Sequence, residues 1–148
     1  ALNISALPTT AHSPKGWAFI CADALALPFR DHSCTDLRIQ AVLHHLVPTA
    51  HALSELTRVL RPSGLLTIVD GVALSSREAA HLDHELQQGG HPGAPTYGFE
   101  LSELTALIRA SGLEIESIHT EGTATWATPP FVSKPYTSDR FHLTASHP

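Results

Sequence analysis

The sequence predicts a single α/β domain whose sheet is mostly parallel. Apolar runs typical of buried strands alternate along the chain with amphipathic segments typical of helices, which is the pattern of α/β proteins. A chain of 148 residues can form one hydrophobic core but is too short for two ordinary domains. The last two strand-like runs have no helix between them, so we expect them to pair antiparallel. The predicted strands cover residues 17–22, 36–42, 65–70, 113–120 and 140–146.

Three helices are predicted between these strands. Over residues 48–60 the apolar side chains recur on one helical stripe. The sequence Arg61-Pro-Ser-Gly64 should end that helix, because proline cannot continue it and the glycine can adopt a left-handed conformation. Residues 75–88 have a helical composition with a polar face. A third helix is expected to begin at a cap on Ser102 and to end at Gly112.

The composition argues against several functional classes. A formal net charge of −5 gives no basic surface for nucleic acid or for an anionic membrane. No apolar run has the length of a membrane span, and the first residues do not resemble a signal peptide. The two cysteines, Cys21 and Cys34, are too few for a disulfide framework. We therefore expect a cytoplasmic protein with no nucleic-acid or membrane partner.

Three consecutive motifs carry a family resemblance. They are Asp23-Ala-Leu-Ala-Leu-Pro-Phe29, Val42-Leu-His-His-Leu46, and the segment from Ala52 to Gly64 that runs into the strand ending at Asp70. In their order and spacing they resemble class I S-adenosylmethionine-dependent methyltransferases of the ubiquinone/menaquinone-biosynthesis type, the methyltransferase type 11 domain. The resemblance implies a Rossmann-like, three-layer α/β/α sheet in the strand order 3-2-1-4-5-7-6 with an antiparallel last strand. It also implies S-adenosylmethionine as the cofactor.

The resemblance assigns cofactor-binding roles to five residues. In such enzymes the acidic residue after the third strand, here Asp23, accepts a hydrogen bond from the adenine amino group, and Ala24 and Leu25 flank the ring. Gln40, near the end of the fourth strand, is expected beside the methionine part of the cofactor. Asn3 matches an acidic residue that binds the ribose hydroxyls, although an amide offers only one acceptor oxygen. Ligands of open α/β sheets generally bind beyond the carboxyl ends of the strands, which agrees with the positions of Asp23 and Gln40.

Part of the family pattern is absent from this sequence. It contains no glycine-rich turn after a first strand, and it contains no methionine. We therefore expect residues 1–148 to form a single partial methyltransferase domain that lacks its N-terminal part. Without the first strand, residues 36–42 would form an open edge, where a charged residue such as Arg38 limits pairing with other chains. The expected consequences are weak cofactor binding by this chain alone and self-association through the open edge unless Arg38 blocks it.

Candidate residues for the methyl acceptor lie in the second motif and in two predicted loops. His45 is the candidate general base, and His44 is expected to contact the acceptor, although both histidines could simply form the wall of the pocket. Tyr97 and Trp126 either line the acceptor pocket or cover the sheet. Asp70 either contacts the acceptor or only ends its strand. No metal site is predicted, because no set of three ligands has a convincing spacing.

Two functions remain open from the sequence. The first is methyl transfer from S-adenosylmethionine to a small-molecule acceptor, a displacement that depends mainly on positioning. The second is a non-catalytic, methyltransferase-like module that binds a protein. No segment of the sequence names the acceptor.

Overall fold

A computed structural model describes residues 20–90, 97–127 and 132–148. Asn3 and the first half of the strand predicted over residues 17–22 lie outside these ranges, and residues 20–22, which are described, form no strand. No helix among the described residues is long and apolar enough to cross a membrane. The elements in chain order are β1 (Cys34–Gln40), a 3-10 turn (Leu43–His45), α1 (Thr49–Val59), β2 (Leu60–Gly71), α2 (Ser76–Gln88), α3 (Leu101–Ala110), β3 (Glu114–Ala127) and β4 (Tyr136–Ser146).

The four strands form one mixed sheet in the order β1-β2-β4-β3. β1 and β2 are parallel, and β4 runs antiparallel to both of its neighbours. The register places Ile39 beside Ile68, and it places Leu143 between Ile68 and Ile118. The open α/β sheet and the antiparallel pairing of its last two strands are therefore confirmed. Among the described strands, β1 lies at one edge of the sheet.

The main core lies between one face of the sheet and the helices α1 and α3. Because side chains alternate along a strand, residues two apart on β2 and on β4 point to this same face. A fully buried leucine or isoleucine stabilises the fold by about 1.5–3 kcal/mol relative to an exposed one. This packing fixes the strands whose ends form the candidate site. The fully buried residues that make the contact include Leu53, Leu66, Ile68, Leu104, Ile108, Phe141 and Leu143.

The junction between α1 and β2 differs in detail from the prediction. α1 ends at Val59, as the Arg61-Pro-Ser-Gly64 sequence indicates, but the left-handed residue is Ser63, with φ 63°. Gly64 is needed for a different reason, because a Cβ atom there would lie 2.7 Å from Cδ1 of Leu60 and 2.8 Å from the carbonyl oxygen of Arg61. Gly64 therefore allows the chain to pass close to Leu60 and Arg61. The left-handed turn conformation is adopted by Ser63, one residue earlier.

The helix ends show one cap that was predicted incorrectly. α2 begins with a capping box, in which Ser75 and Glu78 each bond the backbone N–H of the other. α3 begins at Leu101 after Glu100, so Ser102 lies inside the helix and is not its cap. Gly112, with φ 93°, follows the end of α3 as expected.

β3 extends further at its C-terminal end than predicted, and β4 begins earlier than predicted. β3 continues to Ala127, so Trp126 lies in a strand and not in a loop. The extension pairs Thr125 with Thr137 and Ala127 with Tyr136. Side chains from this end pack with α2 in a second, smaller core that contains Leu82, Leu86, Tyr97, Val132 and Tyr136. Burial against α2 explains the extension, and it depends on contacts distant in sequence.

Candidate functional site

A cavity of about 590 Å³ opens beyond the C-terminal ends of β1 and β2. This is the place where open α/β sheets bind their ligands. The cavity brings together five of the residues predicted for the site, which are Gln40, His44, His45, Tyr97 and Trp126. The three residues predicted to hold adenine, Asp23 to Leu25, lie in a neighbouring turn and do not line the cavity.

A buried histidine–aspartate pair forms one wall of the cavity. Nδ1 of His44 lies 2.8 Å from Oδ1 of Asp70, and the two residues are 6% and 3% exposed. Asp70 is the penultimate residue of β2, and the 3-10 turn after β1 carries His44 across to it. Oδ1 of Asp70 also accepts a hydrogen bond from the backbone N–H of Gly71, at 2.9 Å. Sequence analysis placed both residues at strand ends but did not predict that they pair.

The pairing determines which ring nitrogen of His44 can act as a base. A carboxylate can only accept hydrogen bonds, so the proton of the neutral ring is on Nδ1. The other nitrogen, Nε2, then carries the free lone pair. An aspartate in this position holds the orientation of the ring and stabilises the imidazolium that forms when Nε2 takes a proton. The pair can therefore accept a proton from a ligand in the cavity.

Aromatic rings surround this histidine. The ring centroid of His45 is 4.0 Å from that of His44, and Trp126 approaches His44 edge-on at 4.9 Å. Tyr97 in turn meets Trp126 at 6.1 Å. Hydrogen bonds anchor two of these rings at their polar ends, from Trp126 Nε1 to Ser138 and from the Tyr97 hydroxyl to Asp83. The wall is therefore aromatic and held in place.

Gly71 makes room for the indole ring. A Cβ atom on Gly71 would overlap Cζ2 of Trp126, and it would lie 3.0 Å from Cβ of Ala124. Glycine at the end of β2 is therefore required for Trp126 to lie against the backbone beside Asp70. The sequence did not predict that Gly71 makes room for Trp126, because a glycine after a buried strand commonly just ends the strand.

The turn predicted to hold adenine has a compact geometry. Oδ1 of Asp23 accepts a hydrogen bond from the backbone N–H of Leu25 at 2.9 Å, and the N–H of Ala26 bonds to the carbonyl oxygen of Asp23 at 3.1 Å. Ala24 and Leu25 are half-buried and pack against the main core. An exposed carboxylate beside apolar side chains has the acceptor and the flat apolar contact that an adenine ring needs. The residues present in this turn therefore fit the adenine part of the implied cofactor.

An arginine on α1 holds the loop that follows this turn. Arg58 donates hydrogen bonds to the carbonyl oxygens of Leu27 and Phe29, and it forms ion pairs with Asp31 and Glu55. Glu55 also accepts a bond from the N–H of Leu27 at 3.0 Å. We call these five residues the Arg58 clamp. The hydrogen bond from Arg58 lowers the pKa of Glu55 from 4.5 to about 2, and the bonds to Glu55 and then Asp31 raise the pKa of Arg58.

The comparisons with known proteins agree on one family. A family model described as a methyltransferase domain matches residues 3–68. The 27-O-demethylrifamycin SV methyltransferase of Amycolatopsis mediterranei (strain S699) is 33% identical over 99 residues, which is 67% of this chain and 36% of that protein. The chain thus spans about a third of the length of this curated relative.

Solved structures share the architecture. A candidate methyltransferase from Bacillus halodurans C-125 has a TM-score of 0.67 at 16% identity, with 88% of this chain and 77% of that chain covered. A SAM-dependent methyltransferase from Methanosarcina mazei has a TM-score of 0.62 at 19% identity, with 85% and 65% covered. At such identities the likeness concerns the fold alone. Taken together, the family model, the curated relative and the sheet topology show that the chain belongs to the class I S-adenosylmethionine-dependent methyltransferases.

Proposed function

We propose that this protein transfers a methyl group from S-adenosylmethionine to a hydroxyl oxygen of a small molecule, with His44 as the general base. The single observation that carries the proposal is the buried contact between Nδ1 of His44 and Asp70 at the wall of the cavity. A neutral hydroxyl is a weak nucleophile, so its methylation benefits from a base. The rest of the catalysis depends mainly on holding the acceptor in position.

The chemistry can be followed at named atoms. When bound, S-adenosylmethionine would supply an electrophilic methyl group on its positively charged sulfur, and the carbon–sulfur bond would break during the transfer, leaving a neutral thioether. Nε2 of His44 accepts the hydroxyl proton as the acceptor oxygen forms its bond to the methyl carbon. Asp70 holds the ring in the productive tautomer and stabilises the resulting imidazolium. The imidazolium then releases its proton to solvent. The aromatic wall of Trp126 and Tyr97 orients the acceptor and keeps bulk water away from the reacting oxygen.

For the cofactor, we propose the residues assigned by the family resemblance. The carboxylate of Asp23 would bond to the adenine amino group, with Ala24 and Leu25 beside the ring. Gln40, the last residue of β1 and part of the cavity wall, would contact the methionine part. Asn3 keeps its expected ribose contact as a prediction, since it lies outside the described residues.

Between the two neighbouring histidines, the geometry favours His44 over His45 as the base. His44 is buried and has a carboxylate partner that fixes its tautomer. His45 is exposed, and its ring lies tilted against that of His44. We assign His45 to the pocket wall. This reverses the roles expected from the sequence, where the second histidine was the candidate base.

Two further observations bear on the choice between functions. The curated relative is named as a methyltransferase of 27-O-demethylrifamycin SV, a name that describes methylation of a small molecule at oxygen. A non-catalytic module would have no need of a buried histidine–aspartate pair facing a cavity. Membership of the ubiquinone/menaquinone-biosynthesis type of methyltransferase and the cytoplasmic setting remain predictions. Self-association through the β1 edge also remains a prediction, and analytical ultracentrifugation of the protein and of Arg38→Thr would test it.

Substitution of His44 tests the proposal. Glutamine at this position keeps a polar side chain of similar size but cannot act as a base, so we expect kcat to fall by about 10²–10⁴-fold. The assay follows radiolabelled methyl transfer to a panel of phenols, and calorimetry measures binding of S-adenosylhomocysteine. His51→Gln, which changes an exposed histidine on α1, serves as the matched control. Unchanged turnover by His44→Gln would contradict the assignment. Cofactor binding by the wild type without turnover of any phenol would favour the non-catalytic alternative.

A further inference from the structure

One charged side chain of the cavity has no role in the chemistry described so far. Arg140 lies within β4, directly opposite Gly71 of β2 in the sheet. Arg140 lines the same cavity as His44 and Trp126. Among the described residues, no carboxylate oxygen lies within 4.0 Å of its guanidinium group. The cavity wall is otherwise largely apolar or aromatic, so this cation is its distinguishing feature.

The neighbouring strand is shaped to hold the guanidinium. The pairing of β3 with β4 shifts register between Thr120 and Thr123, which leaves Glu121 and Gly122 in a bulge. The carbonyl oxygen of Glu121 accepts a hydrogen bond from Nε of Arg140 at 3.2 Å. Gly122, with φ 71°, lies so close that a Cβ atom there would be 2.8 Å from Nη2 of Arg140. Arg140 is therefore oriented by the bulge, and the bond at Nε leaves the two terminal nitrogens to bind a ligand.

We propose that Arg140 selects an acceptor that carries a carboxylate on the same aromatic framework as the hydroxyl to be methylated. A guanidinium binds a carboxylate through two parallel hydrogen bonds, and this fork geometry is more specific than a point charge. The aromatic wall of Trp126 and His45 favours a flat ring, and a hydroxyl on such a ring is acidic enough for a histidine base to deprotonate. A volume of about 590 Å³ accommodates a ligand of several rings. This inference rests on the proposed function and names the substrate class for the same site.

A matched pair of probes tests the proposal by binding alone. Calorimetry compares 6-hydroxy-2-naphthoate with 2-naphthol, which has the same rings and hydroxyl but no carboxylate. We expect the wild-type protein to prefer the naphthoate by about tenfold or more, and we expect added salt to reduce this preference. In Arg140→Gln the preference should disappear while the affinity for 2-naphthol stays unchanged. Arg140→Lys should recover part of the preference, and Arg109→Gln, which removes an exposed arginine on α3, should retain all of it.

A second variant moves the guanidinium without altering any charge. Alanine at Gly122 would place a methyl group against Nη2 of Arg140, so Gly122→Ala should also reduce the preference for the naphthoate. Equal binding of both probes by the wild type, or an unchanged preference in Arg140→Gln, would overturn the proposal. So would weakened binding of S-adenosylhomocysteine by Arg140→Gln with an unchanged probe ratio, since Arg140 would then serve the cofactor.

The outcome is separable from that of the proposed function. His44→Gln should keep the full preference for the carboxylate, because the base does not contact that group. If no phenol is methylated but Arg140 still selects the naphthoate, the catalytic assignment fails and the binding site stands. If methyl transfer depends on His44 but no carboxylate preference exists, only the inference on Arg140 fails.

Discussion

The turn and loop over residues 23–31 and the pocket around His44 are the two parts of the proposed site, and different forces hold them. The loop is fixed by charged contacts near the surface, in which Arg58 pairs with an Asp31 side chain that is 68% exposed. The pocket is fixed by a buried hydrogen bond between His44 and Asp70 and by close packing of Trp126 on Gly71. The adenine side of the proposed site is therefore held partly by contacts that water and salt can weaken, and the acceptor side by contacts that are largely buried.

This difference has energetic consequences. Exposed ion pairs stabilise proteins little and are screened by salt, so the pair between Arg58 and Asp31 should add little to the stability of the loop. Loss of one partner of a buried polar pair leaves the other partner unsatisfied, which costs about 1–3 kcal/mol. In the proposed mechanism, a wall held by buried contacts suits methyl transfer, because the acceptor oxygen must be aligned with the methyl group.

Of three substitutions that test this comparison, Asp70→Asn should have the largest effect, because it disrupts the buried pair at the pocket wall. An amide can donate to Nδ1 of His44 and so favours the tautomer with the proton on Nε2, where it blocks the base. We expect kcat to fall by about 10²-fold or more while KM for the acceptor changes little. Steady-state kinetics checks this, with Asp36→Asn on the exposed edge strand as the control. A full rate in Asp70→Asn would mean that the pair serves only the fold.

A smaller effect is expected from Gly71→Ala, which adds a methyl group where the backbone packs against Trp126. The added methyl group would overlap the indole of Trp126, so the free energy of unfolding should fall by about 1–3 kcal/mol. Urea denaturation measures the change. In a Trp126→Ala background the same substitution should cost much less, because the overlap is gone, and a double-mutant cycle gives the coupling. Additive effects of the two changes would show that Gly71 and Trp126 do not constrain each other.

The smallest effect concerns the Arg58 clamp and its dependence on pH. The pKa of Glu55 is lowered from 4.5 to about 2 in the folded state, chiefly by the hydrogen bond from Arg58. Its ionised form therefore stabilises the fold fully above pH 4.5, and this contribution is lost as the pH falls towards 2. Thermal melts should show Glu55→Gln less stable than the wild type at neutral pH, with the gap closing on acidification. Glu103→Gln, on α3, is the control. A gap that persists unchanged at low pH would contradict the role of the clamp.

The same two regions differ in how far the sequence predicted them. The turn at Asp23 to Leu25 and the ends of α1 depend on contacts between near neighbours, and local patterns describe such contacts well. The pairing of His44 with Asp70 joins residues 26 positions apart, and the bulge around Arg140 depends on the register between β3 and β4. A single sequence placed these residues near strand ends but carried no signal of which side chains meet. The predictions of a helix cap at Ser102 and of a left-handed residue at Gly64 failed for another reason. More than one residue near each of these positions can adopt the required conformation.

The extent of β3 shows the same limit. Residues 121–127 carry few apolar side chains, so the sequence indicated a loop there. The strand continues because Trp126 and Tyr136 are covered by α2 and by Tyr97, which are distant in the chain. The consequence is functional, since this extension brings Trp126 to the cavity wall.

The central claim is that His44 removes the proton from the acceptor hydroxyl, and the acidity of the acceptor tests it most directly. The measurement is the ratio of kcat/KM between the wild type and His44→Gln across a series of phenols of increasing acidity at one pH. A base matters only while the hydroxyl is protonated, so the ratio should fall from about 10²–10⁴ for a weakly acidic phenol towards one for a phenol that is already ionised. A ratio that stays constant across the series would contradict the claim, because it would show that His44 contributes to binding or folding and not to proton removal.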